Sequence, residues 1–185
     1  GVTTGTTAES VNAAAAANAL TIVGNDGANS LTGSVFADTI LGNAGIDTIT
    51  GGSGVDAMDG GVGNDVYLIA TAAQHTAAEV ADGGGDAADV VRFTSTAAGT
   101  LTLYSGDAGV EQVVIGSSAG VTTGTTAESV NAAAAANALT IVGNDGANSL
   151  TGSVFSDTIL GNAGIDTITG GSGVDAMDGG VGNDI

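Results

Sequence analysis

The stretch that decides the fold runs from Gly24 to Leu68 and reads GNDGANSLT, GSVFADTIL, GNAGIDTIT, GGSGVDAMD and GGVGNDVYL. These five nonapeptides follow one another without a gap. Each begins with Gly, usually has Gly at its fourth position, and carries Asp or Asn at the sixth and an apolar residue at the eighth. A short period held in strict register indicates a solenoid, in which each repeat is one structural unit.

The same block returns at Gly143, because the chain contains a long duplication. Gly1 matches Gly120, so the period is 120 − 1 = 119 residues, and residues 1–66 differ from 120–185 only at Ala37/Ser156 and Val66/Ile185. The chain begins without Met and stops inside the second copy, and we expect it to be a window of a longer array. The predicted segments are a β segment at 1–23, a first roll at 24–68, an irregular β connector at 69–119, a β segment at 120–142 and a second roll at 143–185.

Composition restricts the partners. The net charge is −19, with 20 acidic residues and one basic residue. Such a balance repels nucleic acid and anionic membranes and favours cations. No apolar stretch approaches the roughly 18 residues that a membrane span needs. We therefore expect neither a nucleic-acid partner nor membrane insertion. The absence of Cys fits a secreted chain but does not by itself decide the compartment.

Each nonapeptide divides into a turn and a short strand, as in Gly42 to Asp47 followed by Thr48 to Thr50. Gly at the first and fourth positions permits positive φ and lets carbonyl groups converge. If successive strands lie on alternate sides, two nonapeptides form one turn of a flattened, parallel, all-β coil. The apolar residues at position eight then meet in the middle; in the first block they are Leu31, Ile40, Ile49, Met58 and Tyr67.

That arrangement stacks the loops of repeats n and n+2 about 4.8 Å apart. It places Asp47 over Asp65, Asp38 over Asp56, and Asn29 over Asp47. Two carboxylates at this distance repel by about 1 kcal/mol in water and roughly 3 to 4 kcal/mol at an effective dielectric of 20. A core one side chain thick cannot offset this repulsion together with the ordering entropy. The coil therefore needs a cation.

Calcium is the expected ion. It takes six to eight oxygen ligands in flexible geometry, whereas magnesium prefers a tight octahedron and zinc prefers His or Cys, which the repeats lack. Three stacked pairs in each block predict six sites. Six ions would change the net charge from −19 to −19 + 12 = −7.

With these motifs, Gly24 to Leu68 and Gly143 to Ile185 resemble the repeats-in-toxin (RTX) family of calcium-binding repeats. The resemblance implies a calcium-loaded parallel β-roll in tandem modules, exported unfolded by a type I system and folded by extracellular calcium. The family ligand falls at the sixth position. The implied metal ligands are Asn29, Asp38, Asp47, Asp56, Asp65, Asn148, Asp157, Asp166, Asp175 and Asp184.

Some positions depart from the family pattern. Asn29 and Asn148 replace the sixth-position Asp, which removes one charge from the first site of each block. Phe36 and Phe155 occupy the fourth position, which affects the loops of Asp38 and Asp157. Because Ile185 precedes position eight, we expect the Asp166/Asp184 site to be frayed.

The connector carries weaker β signals at Val90–Phe93, 101–104 and 113–115. GGDAADVVR from Gly84 fits a degraded nonapeptide with Asp89 at its sixth position. The segment either continues the stack with broader rungs or forms a small capping module. Whether Asp89 or Glu79 binds metal stays open, as does the choice between a short helix and tight β-coil packing for 13–17.

No motif indicates catalysis. His75 is the only His and no nucleophile motif accompanies it, so we expect a surface or loop His and no enzyme. Arg92 is expected to pair with a carboxylate. Asp26, Asp59, Asp145 and Asp178 lie off the ligand position and are expected at the surface. Outward Thr ranks of the kind that bind ice are interrupted at once.

The leading hypothesis is a calcium-binding structural repeat region of a large secreted or cell-surface protein, such as an adhesin, a surface-layer component or an extracellular filament. Near-identical modules favour it, because tandem copies supply reach and rigidity. Its expected partners are calcium, neighbouring copies and further chains in self-assembly. The alternative is the carboxyl-terminal calcium module of a secreted enzyme or toxin.

Overall fold

A computed structural model of the chain describes residues 5–84 and 88–185. Residues 1–4 of the first predicted segment and 85–87 of the degraded nonapeptide lie outside this description. The described residues are all-β apart from one 3-10 turn at Ala72–Gln74. The sixteen strands are β1 Ser10–Asn12, β2 Thr21–Val23, β3 Ser30–Thr32, β4 Thr39–Ala44, β5 Thr48–Thr50, β6 Ala57–Val62, β7 Val66–Ile69, β8 Val90–Phe93, β9 Gly99–Thr102, β10 Gln112–Ile115, β11 Glu128–Asn131, β12 Thr140–Val142, β13 Ser149–Thr151, β14 Thr158–Leu160, β15 Thr167–Thr169 and β16 Ala176–Asp178.

The strands form a parallel β-solenoid of about nine turns. One wall is a nine-stranded sheet in the order β1-β3-β5-β7-β8-β10-β12-β14-β16. The other wall contains β2-β4-β6 and β9-β11-β13-β15. Isolated bridges from Met58 to Val80 and from Ala81 to Ala108 extend the β2-β4-β6 wall. The chain alternates between the walls within each roll, so the predicted parallel β-roll is confirmed.

The core is built from two columns of side chains that face each other. In the long sheet, Leu31 aligns with Ile49 and Ile49 with Tyr67, while on the other wall Ile40 aligns with Met58. All five predicted position-eight residues are buried. Each strand contributes one such side chain because neighbours along a strand point outward. The rolls consequently have little apolar area to stabilise them.

The connector continues the stack, so the capping module is wrong. Strands β8 and β10 join β7 to β12 in the long sheet. They have four residues, whereas β3 and β5 of the same sheet have three. A second buried column, formed by Ile69, Phe93 and Ile115, lies beside the first. The connector therefore has a wider core than either roll. At 13–17 the chain forms a turn, closed by the Ala16 N–H to the Ala13 carbonyl (2.8 Å), and no helix.

The second copy is rotated by half a turn relative to the first. Strand β1 lies in the long sheet beside β3, whereas its sequence counterpart within β11 lies in the opposite wall beside β13. Conversely, β2 lies opposite the long sheet, and its counterpart β12 lies in it. The period of 119 residues therefore contains an odd number of half-turns. Identical loops from the two copies project from opposite edges of the solenoid.

Candidate calcium sites

The first-position glycines allow the loops to close on a carboxylate. A Cβ atom built on Gly42 would overlap both Oδ2 of Asp47 and the carbonyl oxygen of Gly60, which belongs to the repeat one turn further on. At the fourth position, Gly45 has φ +121° and lies against the backbone of Gly27. A side chain is excluded at Gly42 by contact, and at Gly45 by contact and by backbone conformation.

The structure brings together all six predicted pairs. In each pair the backbone N–H of one sixth-position residue donates to Oδ1 of the sixth-position residue 18 positions later. The bonds are Asn29 to Asp47 (2.6 Å), Asp38 to Asp56 (2.9 Å), Asp47 to Asp65 (2.7 Å), Asn148 to Asp166 (2.8 Å), Asp157 to Asp175 (3.0 Å) and Asp166 to Asp184 (2.9 Å). One oxygen of each acceptor carboxylate thus supports the stack.

Three of these carboxylates keep a buried oxygen without a hydrogen bond. They are Asp47, Asp56 and Asp166, and the oxygen is Oδ2 in each. Burial raises the pKa of Asp47, and it raises the pKa of Asp56 to about 6. Burial likewise raises the pKa of Asp166, with the charge of Asp184 adding to the effect. A buried carboxylate oxygen without a donor is costly, and a bound cation would satisfy it.

The loops of Asp38 and Asp157 are closed differently. Oδ2 of Asp38 accepts hydrogen bonds from the N–H (2.5 Å) and the hydroxyl (2.9 Å) of Ser34, and Oδ1 accepts the Leu20 N–H (2.7 Å). Ser153 closes the Asp157 loop in the same way. The Ser hydroxyl also accepts the N–H of Phe36, which replaces the usual fourth-position Gly. Protein donors therefore occupy both oxygens of these two carboxylates.

The first loop of each copy is closed by paired amides. Nδ2 of Asn29 donates to Oδ1 of Asn25 (3.1 Å), while the Asn25 N–H donates to Oδ1 of Asn29 (3.1 Å). Asn144 and Asn148 repeat the arrangement at 2.9 Å in both directions. An amide supplies a donor where a carboxylate has none. These two loops consequently fold with fewer unsatisfied oxygens than the Asp47 loop.

The remaining predicted ligands lie at the carboxyl ends of the rolls. Asp65 is fully buried, whereas Asp175 and Asp184 are half-buried. The expected fraying does not reach the last loop, because the Ile185 N–H donates to the Asp166 carbonyl (2.9 Å). The apolar residue of β16, Met177, is 55% exposed.

The stack of sixth-position residues, in which each backbone N–H donates to the next carboxylate, forms an acidic ladder that continues through the connector. The Asp65 N–H donates to Oδ1 of Asp89 (2.7 Å), and the Asp89 N–H donates to Oε2 of Glu111 (3.0 Å). Asp89 lies two residues before the buried Val91, as a sixth-position residue precedes position eight. Glu111 has the same spacing to Val113. This spacing in the sequence could have identified both Asp89 and Glu111 as members of the acidic stack. Burial raises the pKa of Asp89 to about 7, with the charges of Asp82, Glu111 and Asp65 contributing.

On the edge of the solenoid opposite Asp65 and Asp89, the side chain of His75 supplies a positive charge to two acidic residues of the connector. His75 was expected at the surface or in a loop; it lies in a loop but is buried. Its Nδ1 is 3.4 Å from Oε2 of Glu79, and its Nε2 is 3.0 Å from Oδ2 of Asp107. The Glu79 N–H donates to Oδ1 of Asp107 (2.9 Å), so these two acids stack as the repeat acids do. Burial disfavours the imidazolium, but the hydrogen bond to Asp107 and the charges of Asp107 and Glu79 prevail and raise the pKa of His75 to about 9.

Arg92 also differs from expectation. Among the described residues it forms no ion pair with a carboxylate, and its Nη1 donates to the carbonyl of Ser118. The reason is position: Arg92 lies within β8, where the alternation of buried and half-buried residues places its side chain on the outer face of the sheet. The carboxylates of the ladder therefore gain no support from the only Arg of the chain.

The charge on His75 gives a pH prediction. Its folded pKa of about 9 exceeds the ordinary 6.5, so its contribution to stability is complete below about pH 6.5 and is lost as the pH rises through about 9. This rise in pKa corresponds to about 3 kcal/mol. Urea denaturation of the calcium-loaded chain should show this decline between pH 6.5 and 9, and His75→Gln should remove it. If stability declined with pH as steeply in His75→Gln as in the unaltered chain, His75 would not be the charged group responsible.

Comparison with known families agrees with this geometry. The family model of the RTX calcium-binding nonapeptide repeat matches residues 32–67 and 151–185, in four copies. The chain carries RTX calcium-binding repeats. Calcium is therefore the ion of these RTX repeats, in accord with the buried carboxylate oxygens that lack donors. A search of curated proteins found no match, and neither did a search of solved structures. Within the described ranges, no helix has the length and apolar character to cross a membrane.

Proposed function

We propose that this region is a non-enzymatic, calcium-stabilised spacer of a secreted or cell-surface protein, and that its sixth-position residues bind the ions. The observation that carries the proposal is the buried Oδ2 of Asp47, Asp56 and Asp166, which has no donor in a fold whose core is one side chain thick. Metal binding energy in such a chain is folding energy. Export as an unfolded chain, followed by folding in extracellular calcium, fits this dependence.

The ten predicted ligands are not equivalent in this proposal. We assign the main ligand role to Asp47, Asp56, Asp65, Asp166 and Asp175, whose loops follow the Gly pattern. Asp184 completes the last pair. Asn29, Asn148, Asp38 and Asp157 contribute mainly by closing their own loops, because protein donors already satisfy their side chains. Sites that include these four should bind calcium more weakly.

An adhesin, a surface-layer component or an extracellular filament would use such a region for length and rigidity. About nine turns at about 4.8 Å give a rod about 43 Å long. The second copy is rotated by half a turn. In an array with this period, a given loop would therefore project from one edge of the solenoid in one module and from the opposite edge in the next. The structural repeat of the array would then be two modules, or 2 × 119 = 238 residues. Self-assembly along such edges is part of the proposal.

A calcium titration tests the proposal. We expect far-ultraviolet circular dichroism to change from coil to β as calcium is added, with reversal by chelator and no effect of magnesium at the same concentration. Small-angle scattering should show the radius of gyration falling to about 16 Å as the rolls fold, from a larger value that stays below the roughly 46 Å of a fully unfolded chain because the connector remains folded. A β spectrum and a compact radius that are both indifferent to calcium would refute a calcium-dependent spacer.

A further inference from the structure

The boundary between the first roll and the connector contains a carboxylate cluster that the nonapeptide pattern does not describe. Asp65, Asp82 and Asp89 each offer one oxygen, and these three oxygens lie within 4.8 Å of one another. Asp65 belongs to the last nonapeptide of the first block, whereas Asp82 and Asp89 belong to the connector. Asp65 and Asp89 are fully buried, and Asp82 is half-buried.

The position of Asp82 is fixed by the roll. Its Oδ1 accepts hydrogen bonds from the Tyr67 hydroxyl (2.8 Å) and the Gly61 N–H (3.1 Å), and its Oδ2 accepts the Gly84 N–H (3.1 Å). The Tyr67 ring is itself buried in the core, and its hydroxyl accepts the Gly60 N–H (2.7 Å). The side chain is thus held toward the cluster by neutral donors, none of which cancels its charge.

A second observation points to a ligand. Oδ1 of Asp89 accepts the Asp65 N–H, but Oδ2 of Asp89 is buried and has no hydrogen-bond partner. No side-chain cation of this chain can neutralise it. The chain has one Arg and one His, and these contact the Ser118 carbonyl and the Glu79/Asp107 pair respectively. Three carboxylates this close, two of them buried, require an external cation.

We propose that Asp65, Asp82 and Asp89 form an additional calcium site that joins the first roll to the connector, with Asp82 as a ligand from outside the repeats. The proposal rests on the calcium-binding function proposed above and extends it beyond the nonapeptides. The donor set is three hard oxygens without nitrogen or sulfur, which suits calcium and not zinc. A third carboxylate adds negative charge relative to the stacked pairs, so this site should bind more tightly than they do.

The test is an ion count on the complete 185-residue chain. Native mass spectrometry at saturating calcium should find one ion fewer in Asp82→Asn than in the unaltered chain. The Asn side chain keeps the size of Asp and an oxygen for the Tyr67 hydroxyl. Asp26→Asn is the matched control, because Asp26 is exposed and lies off the ligand position; it should retain the full count. Circular dichroism in calcium confirms that both variants are folded.

Terbium provides a second reading of the same site. Tyr67 is one of two tyrosines, the chain has no Trp, and the Tyr67 hydroxyl touches Asp82. Terbium bound at the cluster should therefore emit on tyrosine excitation, and Asp82→Asn should reduce that emission at least twofold while Asp26→Asn leaves it unchanged.

The outcomes separate the two proposals. An unaltered chain that binds several ions while Asp82→Asn binds the same number, with unchanged terbium emission, overturns the junction site alone. A chain that binds no calcium in any form overturns both the junction site and the proposed function. The loss of one ion in Asp82→Asn, but not in Asp26→Asn, establishes the junction site.

Discussion

Gly42→Ala is expected to cost roughly 3 kcal/mol of stability in calcium, because the new methyl group meets two oxygens that cannot both move away. One is Oδ2 of Asp47 and the other is the carbonyl oxygen of Gly60. Displacing either opens the loop stack where the ion is proposed to bind. For a chain of this size the loss corresponds to a fall in Tm of roughly 6 to 12 °C, measured by thermal denaturation at fixed calcium.

Gly124→Ala is the matched control for this substitution. Gly124 is exposed, and a Cβ atom there would meet only the Asn144 amide nitrogen at 3.7 Å, an ordinary contact. Its Tm should change by less than about 2 °C. If the two variants had the same Tm, the loop would have space for a methyl group at Gly42, and the proposed ion geometry would be wrong.

Chelation should reverse the sign of the pH dependence of stability. Burial raises the pKa of Asp56 to about 6 and the pKa of Asp89 to about 7, from the ordinary Asp value of 3.8. Without calcium the folded chain therefore holds these protons more tightly than the unfolded chain. Stability is then greatest near pH 4 and falls as the pH rises to about 7.

Calcium should invert this trend. Because the ion binds the deprotonated carboxylates, protons compete with it, and stability in calcium should rise with pH over the same interval. Circular dichroism of the chain in urea, followed from pH 4 to 7 with chelator or with calcium, measures both slopes. Parallel slopes in the two conditions would show that the ion does not bind these carboxylates.

Much of the roll could be predicted from the sequence because its information is local and repeated. The nonapeptide register fixes which residues face the core, and Leu31, Ile40 and Ile49 are buried as expected. It also fixes which loops stack, and the Asp47/Asp65 pair forms as expected. A period of nine with a strand of three leaves few alternatives, since a shift of one residue would expose the whole column.

The features that the sequence did not reveal depend on contacts between segments far apart in the chain. Asp82 reaches Asp65 only because the connector stacks on the last loop of the roll, and no periodicity marks it. His75 is buried because Glu79 and Asp107 lie on either side, 32 residues apart in the case of Asp107. The half-turn rotation of the second copy depends on the number of rungs in the connector, which its irregular strand lengths conceal.

In this account calcium stabilises the rolls, whereas the connector is stabilised by its wider core and by the contacts of His75 with Glu79 and Asp107. Hydrogen exchange read residue by residue, in calcium and in chelator at pH 7, tests it most directly. We expect the amides of β3 to β6 and β13 to β15 to be protected only in calcium, and those of β8 and β10 to keep protection in chelator. Equal protection of the roll strands in both conditions would contradict the claim.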